Sequence, residues 1–202
     1  MNKANTELLE ESLFTTSKPG EKSHGCVIVV DEKRAISCYH GPHSSLKKAD
    51  KVTLYNVMDR HINFEVTVSN VSEKHGLVLF KLIHGKFPSY PNGYTYMYPC
   101  QDYRQLGVDQ KRRPVWKGGI VSRMNPGHFV GTTYDFGDSC SGIFNLKGAF
   151  IGISVARKCS GSPEISFTGS NINYKELLWH PETKLISADA AFCVLTDEKD
   201  EE

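Results

Sequence analysis

The sequence holds no run approaching the roughly 20 consecutive apolar residues that a membrane-spanning helix needs, so no such span is expected. Net charge is almost absent as well: 24 basic residues against 23 acidic ones leave +1. A protein that grips a nucleic-acid backbone carries a large basic surplus, so nucleic acid is not the expected partner. The N-terminus lacks the uninterrupted apolar core of a secretory signal, because Glu7, Glu10 and Glu11 break it up. An intracellular chain is therefore expected, one whose thiols stay reduced. Its six cysteines (Cys26, Cys38, Cys100, Cys140, Cys159 and Cys193) then read mostly as small buried hydrophobes and not as disulfide partners. Paired C-x-x-C spacing is missing too. The nearest approaches to a ligand set are His24 with Cys26, and Cys38-Tyr39-His40 with His43; neither has the geometry of a structural zinc site. No metal and no cofactor are expected.

What is present suits a globular protein. The 202 residues are 39% apolar and 23% charged, enough for one large domain or two small ones with a substantial core. From Cys26 onward the pattern is β. Candidate strands rich in Val, Ile, Phe and Tyr run over 26–30, 35–39, 52–58, 63–71 and 77–82, then 118–124, 128–134, 142–146, 149–156 and 165–169. Turn residues such as Asp31-Glu32-Lys33 and Lys147-Gly148 separate them. Many short strands at this spacing indicate sandwiches or barrels, not βαβ units. The clearest helix is late, from Asn173 to Trp179, and one or two helical turns fit around Leu8–Phe14. Pro88–Lys117 reads as a connector whose basic run, Lys111-Arg112-Arg113, suits solvated surface better than a nucleic-acid contact.

The segment that carries chemistry is Phe136-Gly137-Asp138-Ser139-Cys140-Ser141-Gly142, between two β segments. Acyl transfer needs a hydroxyl or thiol on a tight turn, with backbone N–H groups facing the same spot. Upstream, 25–30 and 35–41 form a hairpin that ends in His40 at a strand exit, a natural place for a general base. A third segment, His75-Gly76-Leu77-Val78-Leu79-Phe80-Lys81-Leu82, is a strand with a polar lead-in.

Taken in order with Ala149-Phe150-Ile151-Gly152-Ile153-Ser154, these pieces resemble the chymotrypsin-like (trypsin-fold) serine proteases of the compact, non-secreted kind. The likeness runs from about Ser23 to Trp179, with 167–169 and 173–179 in the place of the family's last strand and C-terminal helix. It implies an all-β fold: two six-stranded antiparallel Greek-key barrels with a C-terminal helix. The corresponding division is an N-terminal extension (1–22), a first barrel (23–100), a linker (101–117), a second barrel with its helix (118–180) and a C-terminal extension with an acidic tail (181–202). Leu185–Leu195 has no counterpart in the family's core.

The resemblance also implies roles. His40 would be the base and Ser139 the nucleophile, with the N–H groups of Gly137 and Ser139 as the oxyanion hole. Ser154, Val155 and Ala156 would pair with an extended substrate, and Thr133 would floor an uncharged specificity pocket. Two positions depart from the pattern. Gly76 stands where the triad aspartate belongs, and losing that carboxylate's role costs on the order of 10⁴ in turnover. Glu73, His75, Asp59 and Glu65 are the neighbours that would have to replace it. Cys140 stands where glycine follows the nucleophile, and is the alternative nucleophile if a thiolate takes over. The expected function is an intracellular serine-type endopeptidase acting on an extended peptide or protein. The alternative is a weak or inactive protease-fold protein that serves as a peptide-binding module.

Overall fold

Two closed six-stranded antiparallel barrels, one following the other along the chain, make up the computed structural model. It describes residues 1–18, 21, 25–109, 111–132, 140–155 and 183–196. The first barrel contains β1 (Leu13–Thr15), β2 (Cys26–Val29), β3 (Arg34–Cys38), β4 (Lys51–Asn56), β5 (Asn63–Ser72) and β6 (Leu77–Leu82). The second contains β7 (Asp102–Val108), β8 (Pro114–Asn125), β9 (His128–Gly131), β10 (Gly142–Phe144), β11 (Phe150–Val155) and β12 (Thr183–Ser187). The strand order β1-β2-β3-β6-β5-β4 recurs in the second barrel as β7-β8-β9-β12-β11-β10. Helices α1 (Lys3–Glu11) and α2 (Ala188–Thr196) lie at the two ends. The expected trypsin-like, all-β architecture is present.

Side-chain alternation explains why several strands are buried on both faces. On β2, Val27 and Val29 point into the first barrel with Phe14, Leu54 and Phe80. Cys26 and Ile28 point the other way, into a cluster shared with Leu106, Phe144, Phe150 and Ile186 of the second barrel. A strand covered on both sides shows continuous burial without alternation, and all four residues of β2 are buried. A separate core of Tyr103, Val121, Ile143, Ile151 and Leu185 fills the second barrel.

Both end helices straddle the barrels. On α1, Asn5 Nδ2 donates to the Lys147 carbonyl (3.0 Å), and Glu10 accepts from Trp116 Nε1 (2.7 Å), both in the second barrel. At its other end the Glu11 carbonyl accepts from Asn56 Nδ2 of the first barrel (2.8 Å). Helix α2 packs on β5 and β6 as well as on β11 and β12.

Several elements fall elsewhere than expected. Strand β1 lies within 1–22, the segment taken for an extension, and closes the first barrel against β2 and β4. The proposed linker 101–117 contains β7 and the start of β8. The second barrel is closed by β12, which pairs with β11 and β9, and the described C-terminal helix is α2, both in the segment taken for an extension. The strand expected at 165–169 and the helix expected at 173–179 lie outside the described residues. The basic run is not simply solvated surface. Arg113 pairs with Asp109 (2.8 Å), whereas Arg112 is buried and donates to the carbonyls of Ser17, Lys18 and Glu21.

Candidate functional site

Strand β3 ends at Cys38, and Tyr39 N then donates to the Gly76 carbonyl (2.7 Å), fixing where the chain leaves the barrel. His40 follows with extended backbone and precedes a short 3₁₀ turn, Gly41–His43. That turn folds His43 back beneath the strand. Its Nδ1 lies 3.1 Å from the Cys38 carbonyl, which can only accept, so Nδ1 carries the proton. Nε2 then accepts from Thr16 Oγ1 at 2.8 Å. Burial pushes the His43 pKa below its ordinary value, consistent with a neutral ring in a structural role. His43 therefore does not join His40; it borders a surface depression of about 480 Å³ with Thr16, Pro42 and Leu46.

The partner of His40 comes from the other barrel. Cys140 lies two residues before the start of β10, and its N–H donates to the Ser154 carbonyl of β11 (2.8 Å). This sets its Sγ 4.0 Å from His40 Nε2. Cys38 Sγ donates to the same Ser154 carbonyl (3.4 Å). The ligand atoms of Cys38, His40 and Cys140 thus all lie within 4.8 Å of one another, one group of sulfur and nitrogen donors across the barrel interface.

Electrostatics divides the three thiols there. Burial raises Cys26 and Cys38 well above the ordinary thiol value. Burial acts the same way on Cys140, but its polar contacts with the Cys38, His40 and Ser37 side chains and the His40 charge outweigh it and hold this thiol well below its usual value. The hydrogen bond to Cys140 raises His40 in turn, against the opposing effect of burial. The arrangement favours a Cys140 thiolate facing a His40 imidazolium.

Backbone conformation shows what one departure from the resembled pattern costs. Cys140 has φ +71°, the left-handed region that glycine enters without steric cost and other residues occupy at about 1–2 kcal/mol. Glycine is the residue the pattern has at this place, and cysteine stands here in spite of that cost. Gly76 is also left-handed, at φ +68°, and closes the turn in which its N–H donates to the Glu73 carbonyl (3.2 Å). A Cβ on Gly76 would meet Val155 Cγ1 at 3.7 Å.

No carboxylate hydrogen bonds to His40 among the described residues. The neighbours that were candidates to replace the triad carboxylate are placed otherwise. His75 Nδ1 pairs with Ser72 Oγ (2.9 Å), Asp59 Oδ1 accepts from His61 N (2.9 Å), Glu65 sits across from Thr53 on β5, and Glu73 is exposed in the turn before Gly76.

Of the other expected site residues, Thr133, Gly137, Ser139 and Ala156 lie outside the described residues, as does His24. Ser154 and Val155 do not form a free sheet edge. Ser154 donates from its N–H to the Ser141 carbonyl (2.9 Å) and accepts at its carbonyl from Cys140, while both residues pair across to β12. The expected pairing of a peptide with these two would therefore have to be made beside bonds that Ser154 already forms to Cys140 and Ser141. What sequence reading did not join is Cys38 and Cys140, 102 positions apart; only the topology brings β3 of one barrel to the start of β10 in the other.

No family model matches the sequence. No curated protein matches it either. Solved structures do match in fold. The MamO protease domain from Magnetospirillum magneticum, in its apo form, superposes with TM-score 0.69 at 14% identity, over 95% of this chain and all of that one. An inactive-form structure of a serine-to-alanine variant of Rv3671c from M. tuberculosis H37Rv gives TM-score 0.63 at 14% identity, over 94% of this chain and 87% of that one. The Rv3671c protease, also in an inactive form, gives 0.62 at 13% identity, over 92% and 88%. At these identities the likeness establishes the two-barrel protease fold.

Proposed function

We propose that this chain is a protease-fold module that binds extended peptide or protein segments in the cleft between its barrels and has little or no serine-type hydrolytic activity. The observation that carries this reading is the environment of His40. A base in a serine triad needs a carboxylate to fix its tautomer and to stabilise its imidazolium. Here the described partner of the ring is the buried Cys140 sulfur, and the position expected to supply the carboxylate is a left-handed glycine. Engagement of Nε2 by sulfur also competes with any role toward Ser139. The half-buried His40 at the barrel interface, and a fold shared with the MamO protease domain and Rv3671c, support a peptide-sized ligand beside that ring.

A fluorophosphonate probe tests the hydrolytic half of this reading. Wild type should label no faster than Ser139→Ala. Selection from a peptide library should meanwhile return binders that perturb the amide resonances of His40, Gly41 and Cys140. Rapid labelling of wild type that is lost in Ser139→Ala would restore the endopeptidase reading, with His40 as base and Gly137 and Ser139 as oxyanion donors.

The 4.0 Å approach of Cys140 to His40 favours one second reading, thiol-type acyl transfer by Cys140. A peptide vinyl sulfone or chloromethyl ketone that attaches to Cys140 in wild type, and not in His40→Ala, would support it.

A further inference from the structure

Two thiols and one imidazole meet at the barrel interface with no described carboxylate among them. Hard cations such as Mg²⁺ and Ca²⁺ take oxygen ligands, so this donor set does not suit them. Thiolate with imidazole suits borderline and soft ions, and two cysteines with one histidine is a ligand set that zinc accepts while keeping a fourth position for a small molecule.

Distances fit. Zn–S bonds of about 2.3 Å and Zn–N bonds of about 2.0–2.1 Å put tetrahedral ligand atoms about 3.6–3.8 Å apart. Cys140 Sγ and His40 Nε2 are 4.0 Å apart, and no pair in the trio exceeds 4.8 Å. Closing onto an ion takes a side-chain adjustment of a few tenths of an ångström to about one ångström.

A second observation points the same way. A non-glycine residue in the left-handed region carries steric cost, and such residues gather where a side chain serves a site. At Cys140 that cost brings a sulfur to His40 and Cys38, where glycine would bring nothing. The surroundings are apolar: Cys38 and Cys140 sit in the cluster with Ile28, Leu77, Leu106 and Val155. Half-buried His40 gives the group its contact with solvent and a path for an ion to enter.

We propose that Cys38, His40 and Cys140 form a three-ligand site for a thiophilic transition-metal ion, Zn²⁺ in the first instance, with the fourth position filled by water or another small ligand. The ion would join the two barrels directly, since Cys38 and His40 belong to the first and Cys140 to the second. The inference does not rest on the peptide-binding reading. Metal uptake without peptide binding, and peptide binding without metal uptake, are separately observable.

The test uses the full chain, reduced and freed of metal by chelation, titrated with Co²⁺ and then Zn²⁺. Wild type should take up one equivalent of Co²⁺ with a thiolate-to-cobalt charge-transfer band that Zn²⁺ displaces. Cys38→Ser and Cys140→Ser should each weaken the band, and the double variant should abolish it, while Cys100→Ser, which removes an exposed thiol outside the trio, should leave it unchanged. If the buried-thiol variants do not fold, His40→Gln decides, since its ring is half-exposed: Zn²⁺ affinity should fall tenfold or more. A folded, reduced wild type with no charge-transfer band overturns the proposal. So does a band that survives in the folded double variant, or an unchanged affinity in His40→Gln.

Discussion

Cys140 and His40 face each other across the barrel interface with Sγ and Nε2 4.0 Å apart, although one hundred residues separate them in sequence. The thiol is lowered by its hydrogen bonds and the ring is raised by the same contact, so each favours the charged form of the other. In chelated, reduced protein, iodoacetamide should alkylate Cys140 ahead of Cys26 and Cys38: all three thiols are buried, but only Cys140 is held below the ordinary thiol value. Because its pKa is depressed, its relative rate should hold as pH falls below the ordinary thiol range, then drop once the thiolate itself is protonated. Peptide mapping after alkylation at a series of pH values measures this. A profile that declines from pH 8.5 downward like a free thiol would contradict the pairing.

In the proposed reading two features oppose serine hydrolysis: no carboxylate bonds His40 among the described residues, and the Cys140 sulfur competes for the ring. Gly76→Asp alone should raise fluorophosphonate labelling little, since His40 Nε2 stays engaged. Gly76→Asp combined with Cys140→Gly should raise it above either single variant. The ceiling is on the order of the 10⁴-fold that a triad carboxylate contributes elsewhere. Labelling rates of the four proteins check it, and a double variant no better than either single one would contradict it.

Cys140→Gly on its own should leave the fold intact and keep or raise stability. It removes a left-handed cysteine, whose conformation costs about 1–2 kcal/mol. Lost sulfur contacts and the greater freedom of glycine in the unfolded chain offset part of this. The denaturation midpoint should rise, or at least not fall, and a marked fall would show that the buried sulfur contributes more to packing than its backbone costs.

Gly25 lies directly against the His43 ring, so that a Cβ there would overlap Nε2 and Cε1. The ring is held by Thr16, Ser37 and the Cys38 carbonyl and has nowhere inexpensive to go. Gly25→Ala should cost about 1–3 kcal/mol, in line with overpacking elsewhere. Urea denaturation gives the value. Since the displaced ring bonds to the strand that ends at Cys38, the variant should also perturb His40.

Arg112→Ala removes donors to three carbonyls of the segment leading into β2. Hydrogen bonds to a charged group contribute about 1.5–3 kcal/mol, and a loss of that order is expected. Arg112 has φ +61°, so Arg112→Gly should be less damaging than Arg112→Ala. Denaturant midpoints of the two variants make the comparison.

Most of the fold was legible because strands such as Leu77–Leu82 are apolar, β-branched and bounded by turn residues. What escaped detection has physical reasons. Strand β7 buries Gln105 and Tyr103 beside Leu106, so its polar residues disguise an interior strand. Strand β1 has three residues and directly follows a helix; β12 is five residues running straight into one. Of the site, the placement of His40 at a strand exit was legible, and Cys140 as an odd residue at a glycine position. Their union with Cys38 was not, because it depends on how one barrel seats against the other. The same holds for Ser154, whose backbone is occupied by Cys140 and Ser141 in a way that residue type does not reveal.

The apolar cluster between the barrels draws from β2, β3 and β6 on one side and from β7, β10, β11 and β12 on the other. Cut in the connection between β6 and β7, either half would leave its share of that surface bare to water. The halves are thus better regarded as cooperative partners than as autonomous domains, and the chain as a natural candidate for a split-protein reporter. Separately expressed fragments should aggregate or stay loosely folded, then regain structure when mixed.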